Sequence, residues 1–314
     1  MQKTSVYLPP RLKEALAARA AATGRSEAEV IRAALEAEVW SDDGRSPGGP
    51  ISGPGSVASD PVAEAPVAGR LVGVGVGPGE ADLLTVRALQ ALRRADRVVA
   101  PATAVDAVGR AEAIVRQAVP GLRVERIPFA MAPGRVERDR AVDEAAALLA
   151  TYLGSGEEVA FVTLGDPLIY STFTAVAAAV RRRRPITVVE QVPGIMAFQA
   201  LATRTGTTVT DERQRLVVRT ALDGEDVAAD LDDPDASIVL YKGGRRLPDL
   251  AKAAAAAGRL GGAIAGELLG MPGERIGPLS EMAADGPASY LATVIIPATA
   301  PVEPAARPGG AEAP

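Results

Sequence analysis

From Arg70 to about Pro297, short apolar runs alternate with stretches of helical period. In chain order the runs are RLVGVGVG, DRVVAPA, LRVERIPF, EVAFVTLG, ITVVEQV, QRLVVRT, SIVLYK and LATVIIP. Each predicts a strand, and the periodicity between them predicts helices over 83–95, 137–153, 172–183, 194–203 and 247–258. Most of the strands are β-branched and apolar on both sides, the pattern of a sheet covered on two faces. The body is therefore expected to be α/β. The segments on either side have little to bury. Residues 41–69 are mostly Gly, Pro, Ser and Asp, which predicts a flexible linker, and 298–314 predict a disordered Pro/Ala tail.

Residues 1–40 follow a third pattern. Residues 2–8 alternate, with Thr4, Val6 and Leu8 on one face and Lys3, Ser5 and Tyr7 on the other. After Pro9-Pro10, Leu12, Leu16 and Ala20 share one helical face, and Gly24 ends the helix. Ser26 and Glu29 then form a capping box for a second helix with Val30, Ile31 and Leu35 on its buried stripe. One strand and two helices are too little for a core, but two copies with paired strands suffice. Over residues 2–39 this arrangement resembles the ribbon-helix-helix family. The resemblance implies a dimer whose strands present Lys3, Ser5 and Tyr7 to a DNA major groove. That face carries one base and no arginine, so a module that only dimerises the chain is the alternative reading.

Composition narrows the chemistry. The chain has 314 residues, a net charge of −5, no cysteine and no histidine. Disulfides, thiolate metal sites, cysteine nucleophiles and Ser-His triads are excluded, and no metal site is expected. Catalysis must use carboxylates, hydroxyls, lysine, backbone groups or a reactive cofactor. The acidic balance argues against general nucleic-acid binding by the whole chain. No run is long enough for a membrane span and the start lacks an apolar signal core, so no membrane partner and a cytoplasmic location are expected.

The glycine-rich loop GVGVGPGEADLLT, Gly73 to Thr85, looks like a dinucleotide fingerprint but fits neither register. Counting G-x-G-x-x-G from Gly73 ends on Pro78, and from Gly75 on Glu80. The acidic ribose anchor should close the next strand, whereas Asp96 precedes it. S-adenosylmethionine has no phosphate, so a loop that binds it needs close backbone approach and no helix N-terminus aimed at a pyrophosphate. Pro78 then directs the chain and removes an N–H that no phosphate requires.

Further motifs follow in order: VAFVTLGDPLIYSTF, VEQVPGIMAFQALA, IVLYKGG, GELLGMPGERI and SYLATVIIP. In this order and spacing they resemble the class III S-adenosylmethionine-dependent methylases of corrin and porphyrin synthesis, from about Arg70 to Pro297. GDPLIYSTF, IPFAM and YLATVIIP are most similar to the C20-methyltransferases of precorrin-2 or cobalt-factor II. The resemblance implies two α/β lobes, 70–184 and 185–297, with the cofactor in the cleft between them, commonly in a homodimer. It also implies cofactor contacts at Pro78, Gly165, Asp166, Ile169, Met196, Ala197, Tyr241 and Lys242, and substrate contacts at Ser171 and Thr172. Lys242 would bring a cation near a sulfonium unless its head points away. Asp166-Pro167 also has the form of a helix cap. The run Arg181–Arg184 is either a solvated helix end or a partner for tetrapyrrole carboxylates.

The expected reaction is methyl transfer to an electron-rich tetrapyrrole carbon, with the chain supplying mainly orientation. The sequence singles out no catalytic base. The alternative function is a DNA-binding regulator whose methylase-like domain senses S-adenosylmethionine or a corrinoid.

Overall fold

The computed structural model describes residues 10–31, 68–102, 108–129, 134–211, 213–222 and 227–299. The chain divides into two units, 1–63 and 64–314. In the first, α1 (Pro10–Thr23) starts at a proline and ends where Gly24 turns left-handed at φ +65°. The Arg25 amide donates to the Ala20 carbonyl at 3.2 Å, closing the helix end. The expected capping box is present: the Ser26 amide donates to Glu29 Oε2 at 2.8 Å and the Glu29 amide donates to Ser26 Oγ at 3.3 Å. Lys3, Ser5 and Tyr7 lie outside the described residues.

The second unit contains two five-stranded sheets. The first is parallel, in the order β3 (Val124–Pro128), β2 (Arg97–Ala102), β4 (Glu158–Thr163), β1 (Arg70–Gly75), β5 (Val188–Val192). Alternate side chains feed two cores, as the double-faced apolar pattern requires. Val72, Val74, Val98 and Val162 meet α2 (Val86–Arg94) and α3 (Arg110–Ala118). Leu71, Val99, Val159 and Phe161 meet α4 (Arg135–Gly154) and α5 (Phe173–Arg183). The expected lobe boundary at 184 is too early, because β5 pairs with β1 and completes this sheet.

The second sheet is mixed: β6 (Arg215–Thr220), β7 (Ala236–Tyr241), β10 (Thr293–Ile296), β8 (Ile264–Glu267), β9 (Arg275–Pro278). Only β6 and β7 run parallel within it. The helix α6 (Ala197–Thr205) covers one face through Leu201, Val239 and Ile295. On the other face α7 (Ala228–Leu231), α8 (Leu247–Ala256) and α9 (Leu279–Ala284) meet Ile238, Leu240 and Val294. Strands β8 and β9 were not expected, since IAGE and RIGP are too short and glycine-rich to show alternation. Helices α3, α7 and α9 were not expected either.

Two buried charges brace the lobes. Arg259 is 4% exposed and donates to the carbonyls of Leu231, Asp233, Ala236, Ile296 and Pro297, tying α7 and β7 to the end of β10. Glu112 of α3 is fully buried and accepts from Arg126 of β3 at 2.7 and 3.0 Å, with Arg116 at 2.6 Å. Burial opposes its charge, but the two arginines outweigh burial and hold its pKa below the usual carboxylate range.

Two predictions follow from this packing. A carboxylate with a depressed folded pKa stabilises fully above its unfolded value of about 4.3 and loses that stabilisation as pH falls through the folded value. The urea midpoints of the wild type and Glu112→Gln should therefore differ most at neutral pH and converge on acidification below about pH 4.3. Gly73 has no side chain because the Phe173 ring occupies that space, 2.5 Å from where a Cβ would stand. Gly73→Ala should cost about 1–3 kcal/mol in denaturant unfolding, and Phe173→Leu in the same chain should recover part of the loss.

Candidate functional site

Strand β1 lies between β4 and β5, so the three chain segments leaving their C-terminal ends emerge side by side. They meet backbone to backbone. A Cβ on Gly75 would lie 2.4 Å from the Gly165 carbonyl oxygen and 2.6 Å from the Gly194 nitrogen. The Gly165 amide donates to the Gly77 carbonyl at 2.9 Å, with Gly165 itself left-handed at φ +62°. Across to the second lobe, a Cβ on Gly79 would fall 1.8 Å from the Leu269 carbonyl oxygen. Pro78 sits between Gly77 and Gly79, at the tip joining these two contacts. The glycines that imitate a dinucleotide loop thus serve chain convergence and close packing.

Asp166 locks the convergence. Its Oδ1 accepts from the Leu168 amide at 2.8 Å and its Oδ2 from the Gly194 amide at 3.2 Å, joining two of the three segments. It does not cap α5, whose N-cap residue is Thr172. The Ser171 hydroxyl accepts from the Phe173 amide at 3.1 Å and shares a 3.0 Å hydrogen bond with Thr163. Ser171 is therefore engaged inward, while Thr172 makes no side-chain cap bond. Leu168, Ile169 and Tyr170 form an exposed apolar rim next to them.

On the second-lobe side, Met196 is buried with Val239, Tyr241 and Leu269, and its sulfur lies against Gly165. It precedes α6, which Ala197 opens. The Met196 amide donates to Gln199 Oε1 at 2.8 Å and the Phe198 amide to the Tyr241 hydroxyl at 3.2 Å. Burial pushes the Tyr241 hydroxyl pKa well up, so it stays a neutral acceptor.

Lys242 is engaged by the first lobe. Its Nζ donates to the Tyr170 carbonyl at 3.1 Å, so the head crosses to the first lobe, and burial draws its pKa down. Tyr170 in turn donates its hydroxyl to the Val218 carbonyl of β6 at 2.8 Å and sets its ring 6.2 Å from that of Tyr241. Both residues are left-handed without being glycine, at φ +51° for Tyr170 and +61° for Lys242. They form a clasp between the lobes.

One seam thus gathers all eight candidate cofactor positions, with Ser171 and Thr172 on its first-lobe rim. The run Arg181–Arg184 lies elsewhere, at the other end of α5, where Arg183 pairs with Asp143 of α4 at 2.6 Å. Tyr170 and Arg204 were not singled out from the sequence. Arg204 joins Glu80 of the first loop at 2.6 Å and Glu274 of the second lobe. The aromatic in GDPLIY was the available signal for Tyr170; nothing local marked Arg204.

Comparison with known proteins agrees with this architecture. Residues 70–283 match the model of the tetrapyrrole (corrin/porphyrin) methylases, and residues 2–39 match that of ribbon-helix-helix proteins of the copG family. The chain is 31% identical to a precorrin-2 C(20)-methyltransferase of Sinorhizobium sp, covering 73% of this chain and 95% of the relative. It is 32% identical to a cobalt-precorrin-2 C(20)-methyltransferase of Salmonella typhimurium, covering 73% and 96%. A solved cobalt precorrin-4 methyltransferase superposes with a TM-score of 0.57 at 21% identity, covering 74% of this chain and 96% of that one. A uroporphyrin-III C-methyltransferase from Thermus thermophilus, solved with S-adenosylhomocysteine, gives 0.51 at 22% identity, covering 72% and 97%. The chain belongs to the tetrapyrrole methylase family.

Removing the Asp166 carboxylate leaves the Leu168 and Gly194 amides without their acceptor. Asp166→Ala should lower stability by about 1–3 kcal/mol in thermal or denaturant unfolding. It should also weaken binding of S-adenosylhomocysteine measured by calorimetry, because the loops lose their register. A variant with lowered stability but wild-type affinity would reduce Asp166 to a scaffold residue.

Proposed function

We propose that this chain is an S-adenosylmethionine-dependent C-methyltransferase acting at C20 of precorrin-2 or cobalt-factor II in cobalamin biosynthesis. The observation that carries the reading is the convergence of the three glycine-bearing segments with α6 and β7 at one inter-lobe seam. The two relatives named above, each matched over nearly their whole length, support the choice of substrate.

The residues at the seam fit the cofactor better than they fit a dinucleotide. Backbone groups, Met196, Ile169 and two tyrosines offer apolar and neutral polar surface. Arg204, which lies by the first loop, is engaged by Glu80 and Glu274 and is poorly placed to serve a diphosphate. Lys242 directs its charge to Tyr170. Pro78, Gly165, Asp166, Ile169, Met196, Ala197, Tyr241 and Lys242 are the residues we assign to holding S-adenosylmethionine. When bound, it supplies an activated methyl group on sulfur. The chain's own task is to hold two large reactants in line and exclude water, which accounts for much of the rate in such reactions. This task needs neither histidine nor cysteine.

Ser171 and Thr172 are assigned to the substrate side. We further read the enzyme as a cytoplasmic homodimer, with residues 1–40 pairing as a second dimeric module. The ribbon-helix-helix match favours DNA contact through Lys3, Ser5 and Tyr7 of that module, which would add a regulatory role to the catalytic one.

Calorimetry tests the cofactor: S-adenosylhomocysteine should bind, and NAD should not. Tight binding of NAD without response to S-adenosylhomocysteine refutes the assignment. Methyl transfer to precorrin-2 should survive deletion of residues 1–69, since no seam residue lies there. Loss of turnover in a deletion variant that remains folded would show that the N-terminal module is part of the catalytic unit.

A further inference from the structure

Pro78, assigned above to the cofactor, has no N–H and cannot fix its own place by an amide hydrogen bond. Its neighbours fix it. On one side the Gly77 carbonyl accepts from the Gly165 amide at 2.9 Å, within the first lobe. On the other side Gly79 and Glu80 meet the segment 268–274, which joins β8 to β9 in the second lobe.

This segment is built as a strap. Leu268 opens it left-handed at φ +53° without being glycine, and Gly270 and Gly273 are left-handed at +68° and +86°. Two turns follow one another: the Met271 amide donates to the Leu268 carbonyl at 2.9 Å, and the Glu274 amide to the Met271 carbonyl at 3.1 Å. The turns lay backbone on backbone. A Cβ on Gly270 would fall 2.7 Å from the Glu80 nitrogen, next to the close approach of Gly79 and Leu269. Between the turns the Met271 side chain reaches across and packs against the first-lobe core that contains Val74, Val76 and Leu92.

Arg204 fastens the strap to the loop. It stands in the last turn of α6, joins Glu80 at 2.6 Å and pairs with Glu274, whose carboxylate also accepts from the Gly270 amide. A guanidinium fork can serve two carboxylates at once, and these partly buried pairs are only partly screened by solvent. The same helix begins at the seam, where the Phe198 amide donates to the Tyr241 hydroxyl. One end of α6 therefore touches the seam, and the other end ties down the loop that carries Pro78.

We propose that Arg204 is a positioning residue: through Glu80 and Glu274 it fastens segment 268–274 over the first glycine loop and so sets where Pro78 stands. The inference rests on the methyltransferase reading above, and it adds a residue that governs cofactor affinity through the loop it holds.

Hydrogen exchange and calorimetry on the full chain test the two parts separately. Without ligand, amides of residues 79–84 should exchange about tenfold faster in Arg204→Met than in the wild type, while those of 137–153 stay unchanged. Arg204→Met and Glu80→Gln should each weaken S-adenosylhomocysteine binding by about three- to tenfold. The double variant should bind no worse than either single one, because each change breaks the same link. Arg204→Lys should recover part of the affinity, and added salt should weaken binding by the wild type more than by Arg204→Met. Unchanged loop exchange in Arg204→Met, or a variant with a faster loop and wild-type affinity, overturns the positioning role. If the loop exchanges faster but the wild type binds no S-adenosylhomocysteine, the methyltransferase reading fails and the fastening of the Pro78 loop stands.

Discussion

Three backbones meet at Gly75, Gly165 and Gly194 more closely than any side chain permits. The rest of the site depends on that approach. Because β1 is flanked by β4 and β5, the segments leaving these strands have to share one small volume. Glycine removes the steric barrier, and the Asp166 carboxylate then joins two of the segments through their amides. With the loops fixed, Met196 can seat against Gly165 and start α6, whose amide at Phe198 finds the Tyr241 hydroxyl. Sheet order, a glycine triad and one carboxylate thus align parts of the chain far apart in sequence.

The lobes are held to one another by a few directed contacts. Gly79 abuts Leu269, Arg204 spans Glu80 and Glu274, and the Tyr170–Lys242 clasp ties the GDP loop to β6 and β7. Left-handed backbone at a non-glycine residue costs of order 1–3 kcal/mol, and here two such residues grip each other. Both strained residues lie on contacts that set the spacing of the two lobes. Orienting two bulky reactants needs such a spacing.

Charge is distributed to match. The seam itself is neutral in its contacts, with Lys242 turned to a carbonyl and Arg204 engaged by carboxylates.

The sequence by itself determined the α/β class, eight of the ten described strands, the capping box at Ser26 and Glu29 and the exclusion of histidine and cysteine chemistry. These rest on local rules, namely alternation, helical period, capping and residue inventory. Local order also marked the loops that form the seam, because Gly-Pro, Gly-Asp-Pro and Pro-Gly punctuation is written in consecutive residues. It did not reveal that β5 completes the first sheet, since an apolar run carries no record of which strand it pairs with. Strands β8 and β9 escaped because IAGE and RIGP are held by their neighbours and not by their own pattern. Only the tertiary structure decided that Asp166 joins two loops and does not cap a helix, and that Lys242 turns its charge to Tyr170. It alone decided that the run at Arg181–Arg184 lies away from the seam, at the far end of α5, where Arg183 pairs with Asp143. Each of these depends on distances between residues dozens of positions apart, which chain folding sets and sequence spacing does not.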